Sequence, residues 1–145
     1  MSRLRRDEGA AMVEFVFLAV LLLVPLAYIV LAAFTVQKSA FAVTAATREA
    51  GRAFVTAESA GDADARARAA AELAMNDQGL DLPAGALRIS CGSGQCLTPG
   101  AVVTVELDYA VALPLVPRAL GGRPLAAIRV HGQHAEVVDE FRAVR

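Results

Sequence analysis

Lysine is nearly missing from this chain of 145 residues: Lys38 is the only one. Arginine carries the remaining positive charge, the net charge is -1, and no basic cluster follows the first few residues. A nucleic-acid partner needs such a cluster, so this balance argues against one. The bias toward arginine, alanine and valine has no functional weight. Cysteine is scarce, with two residues, and the glycines form neither a phosphate loop nor a dinucleotide fingerprint. Asp108, Glu136, Asp139 and Glu140 supply carboxylates, but no spacing pairs two of them for general acid/base work and no nucleophile motif accompanies them. The expectation is therefore a protein that is not an enzyme, with no small-molecule substrate, cofactor or metal. There is also no internal repeat and no long low-complexity tract.

What the chain has in abundance is apolar residues, and they are concentrated. Met1–Gly9 reads MSRLRRDEG, a short polar leader. Ala10–Val36 is then apolar apart from Glu14 and the hydroxyl of Thr35 near its far end. Phe15–Phe34 carries no charge and as a helix would be about 30 Å long, the thickness of a hydrocarbon core. A cleaved secretory signal is the competing reading, but its apolar region is shorter, roughly 7–15 residues, and holds no glutamate. Arg3, Arg5 and Arg6 favour a cytoplasmic N-terminus and an exported C-terminus, although Asp7 and Glu8 follow closely. An ionisable side chain costs roughly 2.5–3.5 kcal/mol at a bilayer centre and less near the headgroups. Glu14 is therefore either a functional residue or a carboxylate that snorkels into cytoplasmic water.

Pro25 lies mid-span, where it removes a backbone hydrogen bond and favours a kink. Beyond Val36 the helix is expected to continue to Phe54. Val36, Ala40, Val43, Thr47, Ala50 and Phe54 recur at alternating spacings of four and three, with Gln37, Lys38, Thr44, Arg48, Glu49 and Arg52 opposite. Ser59–Asp62 breaks the pattern. Asp62 is the expected N-cap of a second helix over 62–78, supported by Asp62/Arg66 and Asp64/Arg68 pairs and packed through a small apolar face on the first. After Pro83 the period changes to two. A short strand is expected over Ala86–Ser90, and a half-buried one over Val102–Val111 with Val103, Val105, Leu107, Tyr109 and Val111 inward. In Ala127–Phe141, Ile128 and Val130 are out of phase with Ala135 and Val137, which predicts a bulge near Gly132. The loop Leu113–Pro124 between these strands carries Leu115, Val116 and Leu120, expected to cover one end of the core, or else to meet a membrane surface or a partner. The fold class is α+β: a long N-terminal transmembrane and then amphipathic helix, a second short helix, and a small antiparallel sheet of about three strands. The expected division is a leader over 1–9, a transmembrane helix over 10–36 and an exported domain over 37–145. Within that domain, 37–55 continues the helix, 62–78 forms the second helix and 86–141 the β-rich part.

Cys91 and Cys96 flank a glycine-rich tetrapeptide. An exported location permits a disulfide closing a hairpin. Free thiols are the alternative, since a redox pair wants two intervening residues and a zinc site two further ligands. His131 and His134 fall on opposite faces of a strand and would share a metal only if Gly132 bent the backbone.

The phrase Gly9-Ala10-Ala11-Met12-Val13-Glu14-Phe15 resembles the processing site of type IV prepilins, in which a peptidase cuts after the glycine and the glutamate becomes the fifth mature residue. With the long N-terminal helix and the small α+β domain, the chain resembles the TadE-like pilins of Tad (Flp) pilus systems, sharply over Met1–Phe54 and only in kind beyond. Its length exceeds that of major pilins, which points to a minor pilin or pseudopilin. The resemblance implies processing by a prepilin peptidase at Gly9, Ala10, Glu14 and Phe15. It implies insertion in the cytoplasmic membrane, partners among other pilin subunits, assembly machinery and membrane lipid, and a place in an extracellular fibre for adhesion or secretion. It also gives Ala10 and Glu14 a role in subunit register. No second aromatic follows Phe15, and Pro25 lies a few residues early for the family's helix-kinking proline. The reading from a different class is an uncleaved single-span membrane protein whose exported domain binds a partner in an envelope complex.

Overall fold

The computed structural model describes residues 4–92, 94–117 and 126–141, with side chains from residue 11 onward. Five elements follow one another: α1 (Leu4–Val55), α2 (Ala60–Asn76), β1 (Leu87–Cys91), β2 (Val102–Ala112) and β3 (Ala127–Val137). The fold is α+β, with the strands in one antiparallel sheet of order β1-β2-β3. The chain divides into two units at Phe34/Thr35.

The first unit is the N-terminal part of α1. Every side chain from residue 11 to 27 is exposed, the large apolar ones included. A window of mean hydropathy 2.9 within Ala11–Val55 has none of its residues buried. This helix is long and apolar enough to cross a membrane, and its exposure distinguishes it from the core helix of a soluble protein. Pro25 lies inside α1, which remains one helix around it.

In the second unit, α1 turns amphipathic as its sequence pattern predicts. Ala42, Val43, Ala46, Thr47, Ala50 and Phe54 are buried, while Gln37, Lys38, Thr44, Arg48, Glu49 and Arg52 are exposed. Two buried hydroxyls satisfy themselves on the helix: Ser39 donates to the Thr35 carbonyl at 3.0 Å and Thr47 to that of Thr44 at 3.0 Å. Along α2 the buried residues are Ala63, Ala67, Ala71 and Met75, one every fourth position. Alanine on both helices lets them approach closely, and a groove between them is lined by Ala45, Glu49, Ala70, Leu73 and Ala74.

The start of α2 differs from expectation. Ser59, not Asp62, is the N-cap: its hydroxyl accepts the Asp62 N–H at 3.2 Å and donates to the Asp62 carboxylate at 2.8 Å. Asp62 thus stands at the third helical position of a capping box and is drawn back to Ser59. Among the described residues neither Asp62/Arg66 nor Asp64/Arg68 forms an ion pair. The far end closes as a Schellman motif. Gly79, at φ +64°, donates to Asn76 (2.7 Å) and Leu80 to Met75 (3.0 Å).

On β2, Val103, Val105, Leu107 and Val111 are buried and Tyr109 half-buried on the expected face. The expected bulge in β3 is absent. Pairing with β2 runs in constant register from Val102↔Val137 to Ala112↔Ala127. Ile128, Val130, Gly132, His134 and Glu136 therefore share the inner face, and Ala135 and Val137 are exposed on the outer one. Gly132 serves a close approach instead: a Cβ built there would lie 2.5 Å from Val43 Cγ1 and 3.4 Å from the Val43 carbonyl oxygen. The helix rests on the strand at that point. Leu115 does not cover the core, being 86% exposed with φ +62°, whereas Val116 is half-buried. Leu120 and the rest of 118–125 lie outside the described residues, as do Met1–Arg3 and 142–145.

Candidate functional site

Gly9 and Ala10 have helical backbone within α1, continuous with the residues on either side. Glu14 follows Ala10 by one turn and so projects from the same face of the helix. Glu14 and Phe15 are exposed, and among the described residues Glu14 makes no hydrogen bond or ion pair. The four positions expected to form a processing site thus lie within about two turns of one helix, at the start of the apolar stretch. Glu14 stands among Met12, Val13, Phe15 and Val16, all exposed.

Cys91 and Cys96 form a disulfide, with Cα atoms 5.2 Å apart. Cys91 is the last residue of β1, and both cysteines are half-buried beside the core. The bond therefore ties the start of the β1–β2 connection to the sheet. This pairing sets aside the alternative of two free thiols.

His131 and His134 lie on opposite faces of β3. His134 Nε2 is 2.8 Å from Glu136 Oε2 on the inner face, where Gly51 of α1 leaves room: a Cβ at Gly51 would be 3.3 Å from the His134 ring. His131 belongs to an outer-face network that sequence reading missed. Arg88 donates to Asp108 at 2.6 Å and lies 3.4 Å from Glu106, and His131 Nδ1 is 2.9 Å from the other oxygen of Asp108. Hydrogen bonding from His131 first, then from Arg88, holds the Asp108 carboxyl below its ordinary range. Burial, with Asp81 adding to it, pushes the Tyr109 phenol up. Arg88↔Glu106 and Asp108↔His131 are directly opposed pairs in the sheet. The only signal for this cluster was the strand register, which single-strand periodicity does not contain. All of its members are exposed or half-exposed. Among the described residues, no three His, Cys, Asp or Glu side chains converge as metal ligands would.

Comparison of the chain with protein-family models, with curated proteins and with solved structures finds no match.

Proposed function

We propose that this chain is a TadE-like minor pilin or pseudopilin, cut after Gly9 by a prepilin peptidase and assembled with other pilin subunits into a Tad (Flp)-type fibre for adhesion or secretion. One observation carries the reading. Glu14, the only Asp, Glu, Lys or Arg between Ala10 and Val36, follows Gly9 by five residues and stands exposed on a helix that is apolar all round. Such a helix suits lipid, and it equally suits a bundle of related helices inside a fibre. In the membrane the leader arginines stay in the cytoplasm and the folded unit is exported. After cleavage Ala10 carries an ammonium group. Pairing between it and Glu14 of a neighbouring subunit offsets part of the desolvation of both charges and fixes axial register, because a slip leaves both unpaired.

A second reading has its own support. Backbone hydrogen bonding runs through Gly9 and Ala10 as part of α1, and a helical peptide bond has to unwind before a protease can reach it. That continuity favours an uncleaved single-span protein whose exported unit binds a partner in an envelope complex.

The two readings part at Gly9. A small residue before the scissile bond is what the peptidase requires, so Gly9→Leu is expected to leave full-length protein in the membrane of a host carrying the cognate peptidase. Trimming of Gly9→Leu as efficient as that of the parent would place processing elsewhere.

A further inference from the structure

One end of the sheet belongs to β2 and β3 alone. Their pairing continues to Ala112↔Ala127, while β1 stops at Leu87↔Leu107. Two close approaches fix where that end lies along α1. Gly132 lies against Val43 and Thr47, and Gly51 against His134 and Glu136, so β3 and α1 run in the same direction. From Gly132 back to Ala127 is about 17 Å at the rise of a strand. Measured from the Val43–Thr47 turn, that length is about eleven residues of helix. Ala127 and Ala112 are therefore level with Thr35, where the second unit begins. Burial along α1 agrees: Ser39 is 1% exposed, and Thr35 and Val36 are half-buried. In the chain, Thr35 directly follows the uncharged stretch Phe15–Phe34.

The loop leaving this end of the sheet projects apolar side chains. Leu113 and Val116 are half-buried, but Leu115 is 86% exposed, and Ile128 near the start of β3 is 43% exposed. Leu115 stands at φ +62° between Pro114 and Pro117. The left-handed region costs a residue that has a Cβ, and strain of this kind gathers at binding positions. Charge is one-sided as well. From Leu113 to Arg129 the sequence holds Arg118, Arg123 and Arg129 and no acidic residue. Apolar side chains beside arginines, without carboxylates, suit a lipid headgroup boundary: the apolar groups enter and the guanidinium groups meet phosphate. A protein partner would account for the exposed leucine, but not for its place level with Thr35.

We propose that Leu113–Val116 and Ile128 form a second membrane contact, made by the exported unit, with Leu115 inserted at the headgroup boundary of the leaflet beside Thr35. The contact requires α1 to span the membrane, which both readings of function share, and it does not require cleavage after Gly9. Under the pilin reading, a subunit leaving the bilayer for a fibre has to give this contact up.

The chain contains no tryptophan, so a single introduced one reports its own surroundings. Three variants of the full chain are reconstituted in vesicles of phosphatidylcholine and phosphatidylglycerol, with or without bromine on the acyl chains, which quenches indole on contact. Phe17→Trp reports insertion of α1, and Leu115→Trp reports the loop. Asp64→Trp controls for the indole's own affinity for lipid. It is exposed at the start of α2, whose opposite end reaches Lys38 at Gly79. Bromine is expected to remove about half or more of the emission from Leu115→Trp, as for a side chain at the interface. Phe17→Trp should be quenched and Asp64→Trp should not. Unquenched Leu115→Trp beside quenched Phe17→Trp would overturn the proposal and leave the membrane-spanning reading intact. Unquenched Phe17→Trp would overturn that reading and the proposal with it. Equal quenching of Asp64→Trp would also overturn it, because the indole and not the loop would be seeking lipid. So would a Leu115→Trp emission that shifts with the protein-to-lipid ratio but ignores bromine, which would assign the loop to a protein neighbour.

Discussion

At Gly132 the backbone of β3 comes within van der Waals reach of α1, and the absence of a Cβ is what allows it. A methyl group there meets Val43 Cγ1 at 2.5 Å and the Val43 carbonyl behind it. Val43 is fully buried and β-branched, so its methyl has little freedom to turn away, and Gly132→Ala is expected to destabilise the fold by about 1–3 kcal/mol, the usual cost of overpacking. Thermal unfolding of the full chain in detergent reads this directly, and an unchanged midpoint would show that α1 and β3 have slack. Gly51 is a milder case, because its neighbour is the movable ring of His134 at 3.3 Å. Glu14 poses a different question, that of register against anchoring. Glu14→Ala removes a charge from the span, so membrane insertion should be as good or better. If the proposed pairing holds, the same change strands an ammonium in an apolar bundle at a cost of roughly 3–5 kcal/mol. The processed variant is then expected in the membrane but not in sheared surface fibres. Its appearance in fibres at the parental level would refute register by Glu14 while leaving the pilin reading standing. Glu14 was visible in the sequence because a charge interrupts an apolar run. Gly132 was visible only as an anomaly, and a glycine in a strand marks either a bulge or a close approach.

At the scale of elements, legibility followed burial. The exposed and buried faces of α1 beyond Val36 and the inward residues of β2 came directly from periodicity, since both elements bury one apolar side against the core. β3 broke that rule. It is an edge strand, and past Gly132 its inner face carries His134 and Glu136, which satisfy each other beside Gly51, while Ala135 and Val137 face solvent. Reading apolar residues as inward therefore forced a phase shift that the chain does not make. The start of α2 was misplaced by three residues for a local reason. Ser59 and Asp62 are both good caps, and in the capping box the upstream residue takes the N-terminus and the downstream one folds back on it. The disulfide was anticipated as the hairpin's closure. The pairing of Ala101 with Val138 was not, because it joins residues far apart in sequence through backbone atoms alone.

At the scale of the whole molecule, one helix serves two units. The apolar stretch of α1 leaves its side chains exposed, and the folded unit buries the amphipathic remainder under α2 and the sheet. The apolar stretch suits lipid or other apolar helices, and the second unit is a small α+β unit that carries the Cys91–Cys96 disulfide. The central claim is that the chain becomes a subunit only after losing its leader, and intact-mass measurement tests it most directly. Protein purified from the membranes of a host carrying the cognate peptidase is expected to lack Met1–Gly9 and to begin at Ala10, with or without one added methyl group. A mass corresponding to the full chain, in a host whose peptidase demonstrably processes its other substrates, would contradict the account and leave the uncleaved single-span protein in its place.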